Sequence, residues 1–160
     1  MKDSPSTGPH LFSMDAWIAL APFEKMLNMV ILEAAQGHAR LNMPFLFDFA
    51  QGAGLLHGGV LVSLADTSVA IAIKTLLPPL SHFATISLES KFLLPVKKGI
   101  VTAEADIVER NGRIFKGLST IRDDDNKAVM EFASVFKVAR SVDLGTIEDL
   151  FVLRGENESL

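Results

Sequence analysis

Between Gly58-Gly59 and Pro78-Pro79 the chain carries a run that, wound as a helix, is apolar on almost every side: Val60, Leu61, Val62, Leu64, Val69, Ile71, Ile73, Leu76 and Leu77. A surface helix shows one apolar stripe, whereas a helix that is apolar all round has to be enclosed. Pro78-Pro79 ends it, because proline lacks the backbone donor and crowds the preceding turn. Asp66 and Lys74 lie inside the run. Charges are costly in hydrocarbon, so this is a helix buried in protein and not a membrane span. The rest of the fold must wrap around it.

The wrapping material is β-structure. Val30 to Ala35 and His38 to Met43 read as a strand pair around Gln36-Gly37. Thr85 to Phe92 alternates, with Ile86, Leu88 and Phe92 on one face and Thr85, Ser87, Glu89 and Lys91 on the other, as a half-buried strand does. Ile100 to Arg110 and Arg113 to Arg122 flank Asn111-Gly112, a type I′ hairpin signal, and the turn at Asp123 to Asn126 leads into a last strand, Ala128 to Val138. Late strands in a meander with one early buried helix predict an α+β protein, an antiparallel sheet around a long helix. Ahead of these, Met14 to Asn28 has helical spacing of Trp17, Leu20, Phe23 and Leu27, with Pro22 as a kink or new start. Phe45, Phe47 and Phe49 alternate like a strand face, a pattern that most often belongs to a core.

Asp66 demands an explanation, since an ionised carboxylate among apolar residues is expensive unless paired or hydrogen-bonded. The glycines at the helix start supply one: first-turn amides, approachable through Gly58 and Gly59, form a positive end that can hold a developing oxyanion. Gly58 and Asp66 are eight residues apart, about 12 Å along one helix at roughly 1.5 Å per residue. They cannot reach the same carbon from one chain. Two antiparallel copies of the helix about a two-fold axis would bring each Asp66 to the partner's glycines. The site therefore implies a homodimer, and a dimer of dimers stays open.

The pattern His57-Gly58-Gly59, six residues, Asp66-Thr67 resembles the signature of the hotdog-fold acyl-CoA thioesterases of the phenylacetate-degradation type, PaaI-like. The resemblance runs from about Phe23 to Val138, through Pro22-Phe23-Glu24-Lys25-Met26-Leu27, the glycine-opened helix, Phe92-Leu93-Leu94-Pro95 and the closing hairpins. It implies an acyl-CoA substrate and a hotdog fold over 14–140. Asp66 would be nucleophile or general base, the Gly58 amide would polarise the thioester carbonyl, and His57 would shape the turn, with Gly59 beside it at the substrate. The family carries a polar residue seven places before Gly58, usually asparagine, where this chain has Gln51. Thr85 falls where a Ser or Thr supports the attacking water. The same resemblance leaves two other readings open, a hotdog hydratase or dehydratase and a non-catalytic acyl-CoA-binding module.

With 160 residues, 49% of them hydrophobic, the chain is long enough for one well-buried domain. A net charge of −4 gives no general attraction for nucleic acid. Without cysteine there is no disulfide, thiolate metal site or cysteine nucleophile, which suits a reducing compartment, and a cytoplasmic location is expected. No G-x-S-x-G elbow, phosphate loop or H-E-x-x-H pair occurs, and no metal or cofactor is expected. Residues 1–13 read as a polar tail lacking the apolar core of a signal peptide, and 141–160 as an extension in which Thr146-Ile147-Glu148-Asp149 caps a short helix. Coenzyme A is a polyanion, so Lys97-Lys98 or the cluster Arg110, Arg113, Lys116 is a candidate for its phosphates.

Overall fold

A computed structural model describes residues 6–10 and 12–141. The order of elements is helix α1 (Pro22–Met26), strands β1 (Val30–Ala35) and β2 (His38–Pro44), a 3₁₀ turn at Phe47–Phe49, helix α2 (Gly58–Lys74), then strands β3 (Phe83–Phe92), β4 (Ile100–Asn111), β5 (Ile114–Arg122) and β6 (Ala128–Val138). All strand pairs are antiparallel and form one sheet in the order β1-β2-β4-β5-β6-β3. α2 meets all six strands from one side. This is the hotdog arrangement, α+β, with the sheet around the long helix.

The all-round apolarity of α2 is accounted for by what encloses it. Leu61, Leu64, Val69, Ile71 and Ile73 are buried against Leu41, Met43, Val101, Phe115, Ile121, Met130 and Phe136 from the strands. Each such side chain removed from water contributes about 1.5–3 kcal/mol. Gly117 lets the helix come close: a Cβ there would stand 2.3 Å from Val69 Cγ1. Beside it Ser68 donates to the Ala65 carbonyl at 2.6 Å and shares a 2.9 Å hydrogen bond with Ser119 across the interface, which satisfies two hydroxyls deep in the core. Among the described residues no helix is long and apolar enough to cross a membrane.

The turn signals performed as their chemistry requires, with one change of type. Gln36 and Gly37 both have positive φ, 50° and 75°, as a I′ turn between β1 and β2 demands. At the β4–β5 hairpin Asn111 pairs with Ile114, so the central residues are Gly112 and Arg113, and of these only Gly112 has positive φ. That is the pattern of a II′ turn, not the expected I′.

Three expectations are corrected. The helical spacing of Met14 to Asn28 yields only α1, because Pro22 takes the first helical position and bars a preceding turn. The segment ahead of it is instead pinned to the end of α2, where Trp17 Nε1 donates to the Lys74 carbonyl at 2.9 Å and Lys74 Nζ to the Trp17 carbonyl at 3.1 Å. Phe45, Phe47 and Phe49 do not form a strand face. Phe45 precedes a 3₁₀ turn, Phe47–Phe49, that buries Phe49 and leaves Phe47 91% exposed. Lastly, the alternation of Thr85 to Phe92 is broken by a bulge: Thr85 pairs with Phe136 and Ser87 with Val135, so Ile86 is an extra residue without a partner. One inserted residue inverts every face assignment beyond it. Thr85 therefore shares the helix-facing side with Leu88, Ser90 and Phe92, and no longer with Ser87, Glu89 and Lys91. The expected cap at Thr146 to Asp149 lies outside the described residues.

Candidate active site

The start of α2 is built by a tight loop. Gln51 N–H donates to the Leu55 carbonyl at 2.8 Å, Gly54 N–H to the Gln51 carbonyl at 2.8 Å, and Gly54 adopts φ 84°, open to glycine. Leu56 then donates to Val96 at 3.0 Å and His57 to Phe49 at 2.9 Å, which fixes the chain on both sides just before the helix. His57 is the N-cap. It is extended (φ −62°, ψ 129°), its Nδ1 accepts the Gly59 N–H at 2.8 Å, and its carbonyl accepts from Val60 and Leu61. With Nδ1 an acceptor, the neutral ring carries its proton on Nε2.

This division of labour separates the two glycines. The Gly59 N–H is taken by His57, whereas the Gly58 N–H meets no acceptor among the described residues. It points from the positive end of a 17-residue helix. Both positions are tight for a side chain: a Cβ on Gly58 would lie 3.1 and 3.2 Å from Phe92 Cε1 and Cζ, and one on Gly59 3.0 Å from His57 Nδ1, so each neighbour would have to give by a few tenths of an ångström. Gly58 opens into a hollow of about 340 Å3 that Gln51, Leu55, Leu61, Phe92 and Leu94 also line. A second hollow, of about 390 Å3, lies on the other side of the helix start, between α1 and the 3₁₀ turn, and includes His57, Gly59, Asp48 and Ser63.

Asp66 lies two turns further along α2, half-buried. Thr85 Oγ1 donates to its carboxylate, at 2.9 Å to Oδ2 and 3.2 Å to Oδ1. Burial raises its pKa above the ordinary carboxylate value of 3.8, and the Thr85 hydrogen bond partly opposes that rise. The threonine thus stands against the carboxylate itself, made possible by the bulge that turned it to the helix face. Gln51 folds back on its own loop, its Oε1 accepting the Ala53 N–H, which leaves the side-chain NH2 as its remaining donor.

Within one chain the residues fall into two groups: Gln51, His57, Gly58 and Gly59 at the helix start, and Asp66 with Thr85 about 12 Å along it. The candidate basic clusters also separate. Lys97 and Lys98 are exposed and directly follow Val96, in the wall of the Gly58 hollow. Arg110 and Arg113 belong to the opposite end of the sheet, where Val138 donates to the Arg113 carbonyl; Arg113 Nη1 donates to Ala139 at 2.6 Å and Arg110 sits over the Phe115 ring at 5.6 Å. Phe92 is the residue whose position the sequence did not disclose. The apolar run Phe92-Leu93-Leu94, outlasting the alternation of β3, was its only local sign.

A long helix enclosed by a six-stranded antiparallel sheet, with an unpartnered glycine amide at the helix start and a threonine-held aspartate in its middle, defines a hotdog protein. The Thioesterase superfamily matches residues 53–130, which span the glycine-opened helix, Asp66 and Thr85. A protein of Saccharolobus solfataricus that carries the name esterase is 26% identical over 103 residues, 64% of this chain and 73% of the relative. Another, of Halobacterium salinarum, is 32% identical over 87 residues, 51% of this chain and 57% of the relative. Among solved structures, a variant of the phenylacetic acid degradation protein PaaI of Thermus thermophilus is 26% identical with a TM-score of 0.68, covering 73% of this chain and 98% of that one. A thioesterase of Haemophilus influenzae is 25% identical with a TM-score of 0.70, covering 77% and 86%. The chain is a hotdog-fold protein resembling the PaaI-like thioesterases.

Proposed function

We propose that the chain is an acyl-CoA thioesterase, acting as a homodimer or a dimer of dimers, that hydrolyses a thioester to a free acid and coenzyme A. The observation that carries this reading is the pairing of an unpartnered Gly58 N–H at a helix start with a half-buried Asp66 held by Thr85. The Gly58 amide receives the carbonyl oxygen and stabilises the negative charge that develops on it. Asp66 of a second copy then works on the carbonyl carbon in one of two ways. It either attacks, expelling the coenzyme A thiolate and leaving an acyl-aspartyl anhydride that water opens, or it takes a proton from a water that attacks directly. In both, the C–S bond breaks and the thiolate leaves with the electron pair. His57 and Gly59 fix the amide that does the work, and Lys97 with Lys98, next to the pocket wall, meet the phosphates.

Support for a second copy comes from β3. It is an edge strand ten residues long, with Ile86 56% and Leu88 47% exposed. Long apolar edges are templates for strand pairing. A two-fold pairing there would cover these residues, and the proposed site requires that it bring the Asp66–Thr85 group of each chain to the helix start of the other. The direct test is a panel of aliphatic and aromatic acyl-CoA esters followed by release of free thiol. Turnover of at least one of them above background is expected, and none would sink the reading.

Two variants probe its parts. Thr85→Ala removes the hydrogen bond that favours the ionised carboxylate, so the pKa of Asp66 rises further. Since the ionised form is the active one, the acid limb of kcat/KM against pH is expected to move to higher pH in Thr85→Ala and to stay in place in Thr85→Ser. An unmoved limb in the alanine variant would separate Thr85 from the reaction. Gln51→Ala is expected to lower kcat, while Gln51→Asn keeps or improves it, because asparagine forms the same side-chain turn to the residue two places on. Unchanged kinetics in Gln51→Ala would confine Gln51 to shaping its loop.

A further inference from the structure

We propose that Phe92 is the specificity-determining residue of this site: its ring is the wall against which the acyl group lies, and it sets the size of acyl group accepted. The inference rests on the thioesterase reading above. Two hollows flank the start of α2, and the amides assign the substrate to one of them. Gly58, whose N–H meets no acceptor among the described residues, lines the first with Gln51, Leu55, Phe92 and Leu94; Gly59, its N–H bonded to His57, lines the second. A carbonyl oxygen held by Gly58 places the first carbon of the acyl group one bond from that oxygen's carbon. The acyl group therefore begins in the first hollow, whose lining side chains are apolar apart from Gln51.

In that hollow the Phe92 ring stands where a Gly58 side chain would be, 3.1 Å from the Cβ position. The bulge at Ile86 is what puts it there. Without the extra residue Phe92 would fall on the opposite face of β3 from Thr85. The bulge thus aims two groups at the helix together, one at the carboxylate and one at the oxyanion donor. With the ring in place the hollow of about 340 Å3 lies at the small end of the range for small-molecule sites, roughly 300–1,000 Å3. The hollow is open to solvent, so the feature that bounds an acyl group next to Gly58 is the ring. Phe92 is 57% exposed at a strand end, so trimming it leaves no cavity in the core.

The experiment measures kcat/KM for straight-chain esters from butanoyl-CoA to hexadecanoyl-CoA with the wild type, Phe92→Ala, Phe92→Leu and Phe23→Ala, after gel filtration shows each variant at the wild-type oligomeric size. Of the two hollows, Phe23 lines the second and not the first. Phe92→Ala is expected to move the optimum to longer chains, changing the long-to-short ratio of kcat/KM by about tenfold or more. Phe92→Leu should fall between, Phe23→Ala should keep the wild-type profile, and inhibition by free coenzyme A should be the same in all four. Parallel profiles for wild type and both Phe92 variants would overturn the proposal, as would a moved optimum in Phe23→Ala. A wild type that cleaves none of the esters overturns the thioesterase reading and this proposal with it, a result distinct from parallel profiles in active enzymes.

Discussion

Asp66→Asn is expected to fold and to lose at least about a hundredfold in kcat, the usual consequence of removing a nucleophile or base. Asparagine keeps the size and can still accept the Thr85 hydrogen bond, so a structural role for the side chain survives the change while proton transfer and attack do not. Stability is expected to move the other way. Because burial holds the pKa of Asp66 above its unfolded value of 3.8, the unfolded chain gives up this proton at lower pH than the folded one. Over the interval between the two values stability falls as pH rises, and at neutral pH the folded state carries the charge at a net cost. The asparagine variant should therefore melt at the same temperature as wild type or higher at neutral pH. Asp66→Glu is expected to be poor as well, its longer arm shifting the carboxylate by about an ångström. Near-wild-type turnover in folded Asp66→Asn would remove Asp66 from the chemistry.

Mixing two inactive variants is expected to restore activity. Gly58→Leu places a side chain where the Phe92 ring now stands and obstructs the amide, and Asp66→Asn removes the carboxylate, so each homodimer lacks both sites. Co-refolded, they form heterodimers in which Gly58 of one chain meets Asp66 of the other, and one of the two sites is whole. Random pairing makes about half of the dimers mixed, which gives about a quarter of wild-type activity for an isologous two-fold dimer. No recovery with heterodimers shown to be present would mean that the site is completed within one chain. That outcome would contradict the separation of about 12 Å between Gly58 and Asp66 along α2.

The sequence by itself determined the enclosed helix, the strands around it and the unusual standing of Asp66. These follow from signals that act over a few residues: apolarity on every side of 60–77, two glycines at one end and two prolines at the other, and turn residues with the required φ, as at Gln36-Gly37. The helix start was legible for the same reason, since capping by His57 and the exposure of the Gly58 amide involve residues next to one another. What only the tertiary structure decided depends on register. Ile86 is an extra residue with respect to its partner strand β6, and nothing in 85–92 read alone marks it. The pattern accordingly put Thr85 on the wrong face, while the folded chain carries it to Asp66 across a separation of 19 residues. The pattern did set Phe92 on the face of Leu88, where it lies, but nothing in it placed the ring over Gly58. Turn and helix chemistry is written in neighbours, but which side chains meet across a bulged sheet is settled by one inserted residue and by the packing that selects its register.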